Sequence, residues 1–313
     1  MQSLKPNHLE RFTAFFAIGF GTLIWVLSGF SSEGARLLML NIGVAAIVLL
    51  TLPNLRSAKN LVAIFFGIAL PLLVFYLFYR ESMLVLGMPN IEWHDLQVSF
   101  LEAGLWQHKE NNFIPLIGDW FAFSYMVYVP MIILVIVMLI IRTPQGSQKS
   151  AESIVRHICL AWAMCYITFV TYPVLGPRLF YPDLQGPRMG SGLFSILAQF
   201  NHNNGMLYGG SFPSAHVAAI IVVLWNAWKA RLPWFWVFLF LGVNLIAATV
   251  YLCYHYVSDI LAGLMVGFLA ISLDRLWMMK RLNVVSILYS NKRINTITQK
   301  VSMYLSESRI KLK

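Results

Sequence analysis

Apolar residues run in long stretches separated by short polar clusters. Eight stretches reach, or nearly reach, the roughly 20 helical residues needed to cross a hydrocarbon core: about 12–29, 37–52, 61–79, 120–141, 154–175, 214–228, 232–252 and 257–277. The pattern predicts an all-α integral membrane protein with about eight transmembrane helices. Residues 1–80 form N-terminal transmembrane helices that read as a packing and anchoring unit. Residues 81–118 form an extracytoplasmic loop. Within it, 91–106 (IEWHDLQVSFLEAGLW) mixes apolar and acidic residues as a helix lying in the interface would, with Trp93 and Trp106 suited to headgroup depth. Residues 119–278 are the catalytic transmembrane core. Within it, 176–213 is interrupted by Gly, Pro and Asn, which set turns. The end, 279–313, is a basic cytoplasmic tail suited to an anionic leaflet.

Composition agrees with this picture: 58% of residues are hydrophobic, 12% are charged, and mean hydropathy is +0.68. A soluble domain carries about twice that charge fraction. With a cytoplasmic N-terminus and eight crossings, only Arg36, Arg80, Lys109, Arg178 and Arg188 of the 23 basic residues fall outside. That is the asymmetry of the positive-inside rule. The net charge of +10 follows from orientation and implies no nucleic-acid partner. No cleavable leader is evident. Cys159, Cys165 and Cys253 lack paired spacing, so neither a disulfide framework nor a metal site is expected, and no cofactor is implied. The absence of any Asn-x-Ser/Thr sequon leans toward a bacterial inner membrane, with the chemistry facing the periplasm or exterior.

The candidate chemistry lies at span ends. His255 and Asp259 are four apart, on one helical face, where a carboxylate can fix the imidazole tautomer and free the other nitrogen as nucleophile. A single structural hydrogen bond at a helix mouth explains the same pair. His216 follows Pro213-Ser214 at the start of the sixth span, where free N–H groups favour an anion and a near-neutral imidazole can protonate a leaving alkoxide. Arg178 and Arg188 each follow Gly-Pro in one outside loop, and guanidinium forks suit phosphate oxygens. His202, in the Asn201-His202-Asn203-Asn204 run, reads first as a loop residue and second as one lining such a site. Gly263 and Gly267 form a small-residue pattern fitting either core packing or a homo-oligomer contact.

Pro213-Ser214-Ala215-His216 resembles the Pro-Ser-Gly-His element of the type-2 phosphatidic acid phosphatase superfamily. His255-x-x-x-Asp259 resembles the end of its third motif, and Arg178 in Gly176-Pro177-Arg178 the arginine of its first. The resemblance covers roughly residues 119–278. It implies a six-helix core preceded by extra helices, and metal-independent chemistry with His255 as nucleophile, Asp259 as its orienter and His216 as acid. Arg178 and Ser214 would hold phosphate. Thr171 stands where the first motif has Lys, and Ala248-Thr249 where the third has Ser-Arg, so two cations are missing; Arg188 could replace some of that charge. In motif style the chain is similar to the inositol phosphorylceramide synthase-like branch, whose members transfer a phosphoryl-alcohol group between lipids and alcohols.

The leading expectation is therefore a lipid phosphoesterase or phosphotransferase acting on a membrane lipid phosphate, with water or an alcohol as acceptor. The alternative within the class is a simple phosphatase of the phosphatidic acid or polyprenyl pyrophosphate type. The rival from another class is a transporter with a His/Asp ion path, which requires ionisable groups near mid-bilayer.

Overall fold

Capping residues open the first helices. Asn7 accepts from the Glu10 N–H while the Glu10 carboxylate accepts from the Asn7 N–H, which fixes the start of α1 (His8–Leu27). Ser31 caps α2 (Ser32–Arg56) by accepting from the Gly34 N–H, and Asn60 caps α3 (Leu61–Leu86) by accepting from the Val62 N–H. The computed structural model describes residues 5–58, 60–89, 91–100, 102, 115–142, 148–181, 191–205 and 208–276. Arg188, Trp106 and the tail 279–313 lie outside the described residues. The remaining helices are α4 (Asp95–Ser99), α5 (Pro115–Met126), α6 (Tyr128–Arg142), α7 (Lys149–Thr171), α8 (Pro177–Phe180), α9 (Leu193–Gly205), α10 (Ala215–Lys229), α11 (Phe235–Tyr251) and α12 (Val257–Leu276). Residues 1–270 make up one compact unit; of the second, which begins at Ile271, the end of α12 is described.

Among the described residues five helices, α1, α2, α3, α7 and α12, are long and apolar enough to cross a membrane, and the α5–α6 pair makes six if taken as one span. The expected count of eight falls short because α10 and α11 have only 15 and 17 residues. The expected fourth span is broken, with α5 and α6 meeting at 41°. Pro130, in the first turn of α6, has no N–H to return to the Met126 carbonyl, and proline at such a place kinks a helix. The fifth span ends at Thr171, four residues earlier than expected, because Pro173 drives Tyr172 out of helical geometry (φ −144°, ψ 71°). Large apolar side chains such as Met39, Leu50, Phe66 and Met265 stand exposed on the long helices, as a hydrocarbon surround requires. The protein is a multi-pass helical membrane protein.

α3 lies between α1 and α7. Phe16 stacks on Phe75 with centroids 5.0 Å apart, and Tyr166 of α7 approaches the other side of Phe75 at 6.3 Å. The two ends of α7 carry different chemistry. At its start, Arg56 pairs with Glu10 (3.2 Å) and Glu152 (3.1 Å), tying together the beginnings of α1 and α7 and the end of α2. At its other end lie the loops bearing the candidate site.

The small-residue pattern on α12 faces the core. A Cβ at Gly263 would stand 2.6 Å from the Ser214 carbonyl oxygen, and one at Gly267 would stand 2.8 Å from that of Ala218. The two glycines thus bring the backbones of α12 and α10 into direct contact. Gly263→Val is expected to destabilise the fold by about 1–3 kcal/mol by overpacking this contact. Thermal unfolding of purified protein measures it.

Candidate active site

Three loops meet at one end of the bundle, and the backbone stitches them together. In the first, Val174 makes a parallel bridge to Gly210 of the second, with Ser211 N–H donating to Val174 O (3.1 Å). Arg178 N–H donates to Cys253 O of the third loop (2.8 Å), and Ser214 N–H donates to Asp259 O (3.0 Å). Gly176 makes this convergence sterically feasible. At φ 89° and ψ 163° it occupies a region essentially reserved for glycine, and a Cβ there would meet Ser211 Oγ at 2.8 Å and Tyr254 O at 2.9 Å.

His255 and Asp259 occupy the third loop and the first turn of α12, and both are buried. His255 Nδ1 lies 3.3 Å from Asp259 Oδ2. The same oxygen accepts from Ser211 Oγ (2.5 Å) and from Tyr256 N–H (2.8 Å). Ser211 Oγ is also 3.3 Å from His255 Nδ1. With Nδ1 engaged on this side, Nε2 is the ring nitrogen left for chemistry. An Nδ1–H directed at the carboxylate leaves Nε2 unprotonated and nucleophilic.

His216, in the first turn of α10, faces it. The two imidazole centroids are 5.8 Å apart. Tyr125 OH lies 3.1 Å from His216 Nε2, and the Tyr128 ring packs 4.7 Å from the imidazole. Ser214 is elsewhere in its local role. Fully buried, it caps α10 by accepting from Val217 N–H (3.4 Å), and it does not line the cavity in front of the histidines. Ala215 and His216 bring the helix start to that wall.

Arg178 is buried, with its guanidinium over the face of Tyr254, 5.3 Å from the ring centroid. It stands behind Tyr254 rather than in the cavity wall. Burial pushes the Tyr254 hydroxyl up to about 12, opposed by the Arg178 charge. His202 of α9 lines the cavity with its ring 5.5 Å from Tyr254. Burial, aided by Arg178, lowers its pKa to about 4, so His202 is neutral at pH 7. The structure therefore brings His216, His255 and Asp259 together, with Arg178 one ring further back; Arg188 lies outside the described residues. Among the described residues no group of three or more His, Cys, Asp or Glu side chains could hold a metal ion.

Sequence reasoning missed what holds the loops. Of the segment expected to lie flat in the interface, the described residues include the five-residue α4, and Asp95 and Glu102 grip the site from behind. The Asp95 carboxylate accepts from Leu175 N–H and Gly176 N–H (both 2.9 Å) and from Tyr256 OH (3.0 Å). Burial raises its pKa, opposed by these three donors. Glu102 accepts from Val257 N–H (2.7 Å), Ser258 N–H (2.9 Å) and Ser258 Oγ (2.6 Å), capping the start of α12. One strap thus joins the Arg178 loop to the helix of Asp259. The only sequence signal was the presence of carboxylates in an otherwise apolar stretch. Ser211 and Tyr125 carried no local signal of their role.

The site thus sets a buried His–Asp pair opposite a second histidine at one end of a bundle of apolar helices. A family model described as the PAP2 superfamily matches residues 102–273, more than half of the chain, and the protein belongs to that superfamily. No curated protein and no solved structure matches. Membership supports a phosphatase-type enzyme acting on lipid phosphoesters.

Proposed function

We propose that the protein transfers a phosphoryl or substituted phosphoryl group from a membrane lipid phosphate by way of a phosphohistidine on His255. The observation that carries this is the pair of facing imidazoles, 5.8 Å apart, with a carboxylate behind the Nδ1 of only one of them. His255 Nε2 attacks phosphorus, the P–O bond to the lipid alcohol breaks, and the departing oxygen takes a proton from His216. Water or an alcohol then attacks phosphorus, the P–N bond to His255 Nε2 breaks, and the attacking oxygen's proton passes to His216. Asp259 and Ser211 hold the His255 ring, and Tyr125 holds that of His216. Arg178 contributes positive charge through the Tyr254 layer, and the uncapped first-turn N–H groups of α10 face the phosphate. Positioning and charge stabilisation are most of what phosphoryl transfer needs from a protein.

The missing motif cations favour transfer to an alcohol, in the manner of the inositol phosphorylceramide synthase-like branch, over simple hydrolysis. Arg188 supplies part of the absent charge; unchanged turnover in Arg188→Ala would remove it from the site. The site faces the exterior of a bacterial inner membrane on the positive-inside rule, which puts the end of α7 carrying Lys149 and Arg156, with Arg56 beside it, in the cytoplasm. Turnover of an impermeant phosphate ester by sealed inside-out vesicles alone would reverse that orientation.

The deciding experiment uses lipid phosphate labelled in its phosphorus, quenched in alkali to preserve phosphohistidine. Label is expected on the purified wild-type protein and none on His255→Ala. A donor that turns over without leaving label on His255 would sink the mechanism. Release of free phosphate with water separates hydrolase from transferase.

A further inference from the structure

The cavity in front of the histidines holds about 390 Å³, and among the described residues its wall carries no Lys, Arg, Asp or Glu side chain. The ionisable groups there are the imidazoles of His202, His216 and His255, and phenols, of which Tyr76 and Tyr79 come from α3. A phosphate ester is an anion, and an anion in such a surround needs a positive partner. Arg178 stands behind Tyr254, and the two motif positions that would bring further cations hold Thr171 and Ala248-Thr249. Phenols donate hydrogen bonds but carry no positive charge. Within the wall, only an imidazole can take one on.

The reaction assigns two of the three. His255 needs an unprotonated Nε2 to attack, and His216 starts with the proton that it gives away. His202 remains. It lies near the end of α9, which is held against α5 by the Ser195 N–H donating to Asp119 (2.9 Å) and by Phe194 on Phe123, 4.9 Å between centroids. The His202 Nδ1 is buried with no hydrogen-bond partner among the described residues. Buried polar atoms without partners are rare in native folds, and each calls for an explanation. A phosphate oxygen supplies the partner once the ring is an imidazolium, whose two nitrogens both donate.

We propose that His202 is a phosphate-binding residue that charges on demand: neutral in the free protein, it takes a proton from solvent as the phosphate enters and holds that charge while His255 and His216 do the chemistry. The inference rests on the proposed function for the placement of phosphate at the histidines. In the free protein, burial and the Arg178 charge hold the His202 pKa at about 4. An opposite charge in contact moves such a group by about 1–3 pH units, here upward, and a doubly charged phosphate brings two. The groups facing His202 are Arg178 and Tyr254 of the site loops, with His216, His255 and Tyr125 elsewhere around the cavity; Asp119 of α5 is engaged at the start of α9. Because the bound state has the higher pKa, anion affinity is greatest below it and falls as pH rises through it.

The test binds sulfate, a tetrahedral oxyanion that stays doubly charged at every pH used, to the full chain in lipid nanodiscs. Proton uptake is read by titration calorimetry in two buffers of different ionisation enthalpy. At pH 6 the wild type should take up about half to one proton more than His202→Gln. It should also bind sulfate about tenfold or more tightly, the scale of a hydrogen bond to a charged group. His202→Arg, a fixed cation, should restore the affinity without the uptake. Equal uptake in wild type and His202→Gln overturns the inference even if turnover is normal. Weak binding that His202→Arg fails to restore marks a structural role and overturns it as well. Uptake that follows His202 with no turnover of any lipid phosphate supports the inference and sinks the enzymatic reading instead. Matching unfolding temperatures show that the variants are folded.

Discussion

Replacing His255 with alanine is expected to lower turnover of a lipid phosphate by about 100-fold or more, the usual scale for losing a nucleophile. His216→Ala is expected to cost a similar factor with a lipid alcohol as leaving group. The two variants should part company when the leaving group changes. An aryl phosphate departs as a stable phenolate and needs little proton donation, so much of the His216→Ala defect should vanish with that substrate. The His255→Ala defect should persist, because nothing replaces the attacking nitrogen. Steady-state kinetics with both esters measure the difference. Equal defects on both would remove the acid role from His216 and leave the Tyr125–His216 contact as packing only.

The second large effect belongs to a residue that touches no substrate. Asp95→Ala strands two buried amides, at Leu175 and Gly176, and the Tyr256 hydroxyl. Each unsatisfied donor costs about 1–3 kcal/mol, so a loss of at least about 3 kcal/mol is expected. Asp95→Asn should lie between, since its single carbonyl oxygen can serve one amide while its NH₂ opposes the other. Loss of amide hydrogen-exchange protection at Leu175 and Gly176, together with a lower melting temperature, would show that the clamp has opened. Wild-type protection in Asp95→Ala would mean that the Val174–Gly210 bridge alone holds the Arg178 loop.

Much of the helical architecture was legible along the chain, because apolar length reports directly on membrane crossing. The starts of α1 and α2, expected at 12 and 37, lie at His8 and Ser32 because Asn7 and Ser31 cap locally, while α3 begins at the expected Leu61. Among the described residues fewer than eight helices pass as full crossings, because Pro130 bends one run and α10 and α11 have only 15 and 17 residues. His255 and Asp259 could be paired from their spacing, since four residues on a helix are neighbours whatever surrounds them. Ser214 read as a phosphate ligand from its motif, but its hydroxyl caps Val217. Gly263 and Gly267 were ambiguous until the backbone of α10 was seen against them.

The order of apolar runs, the charge asymmetry and the His–Asp spacing were settled by the sequence itself, because each depends on contacts within one helix or on transfer from water to lipid. The separation of His216 from His255, the insertion of Ser211 beneath both His255 and Asp259, the Asp95–Glu102 strap and the tyrosines of α3 at the cavity were decided only by the tertiary structure. These partners stand tens to more than a hundred residues apart. No local periodicity encodes such meetings; they follow from how the helices pack and where each one is forced to stop.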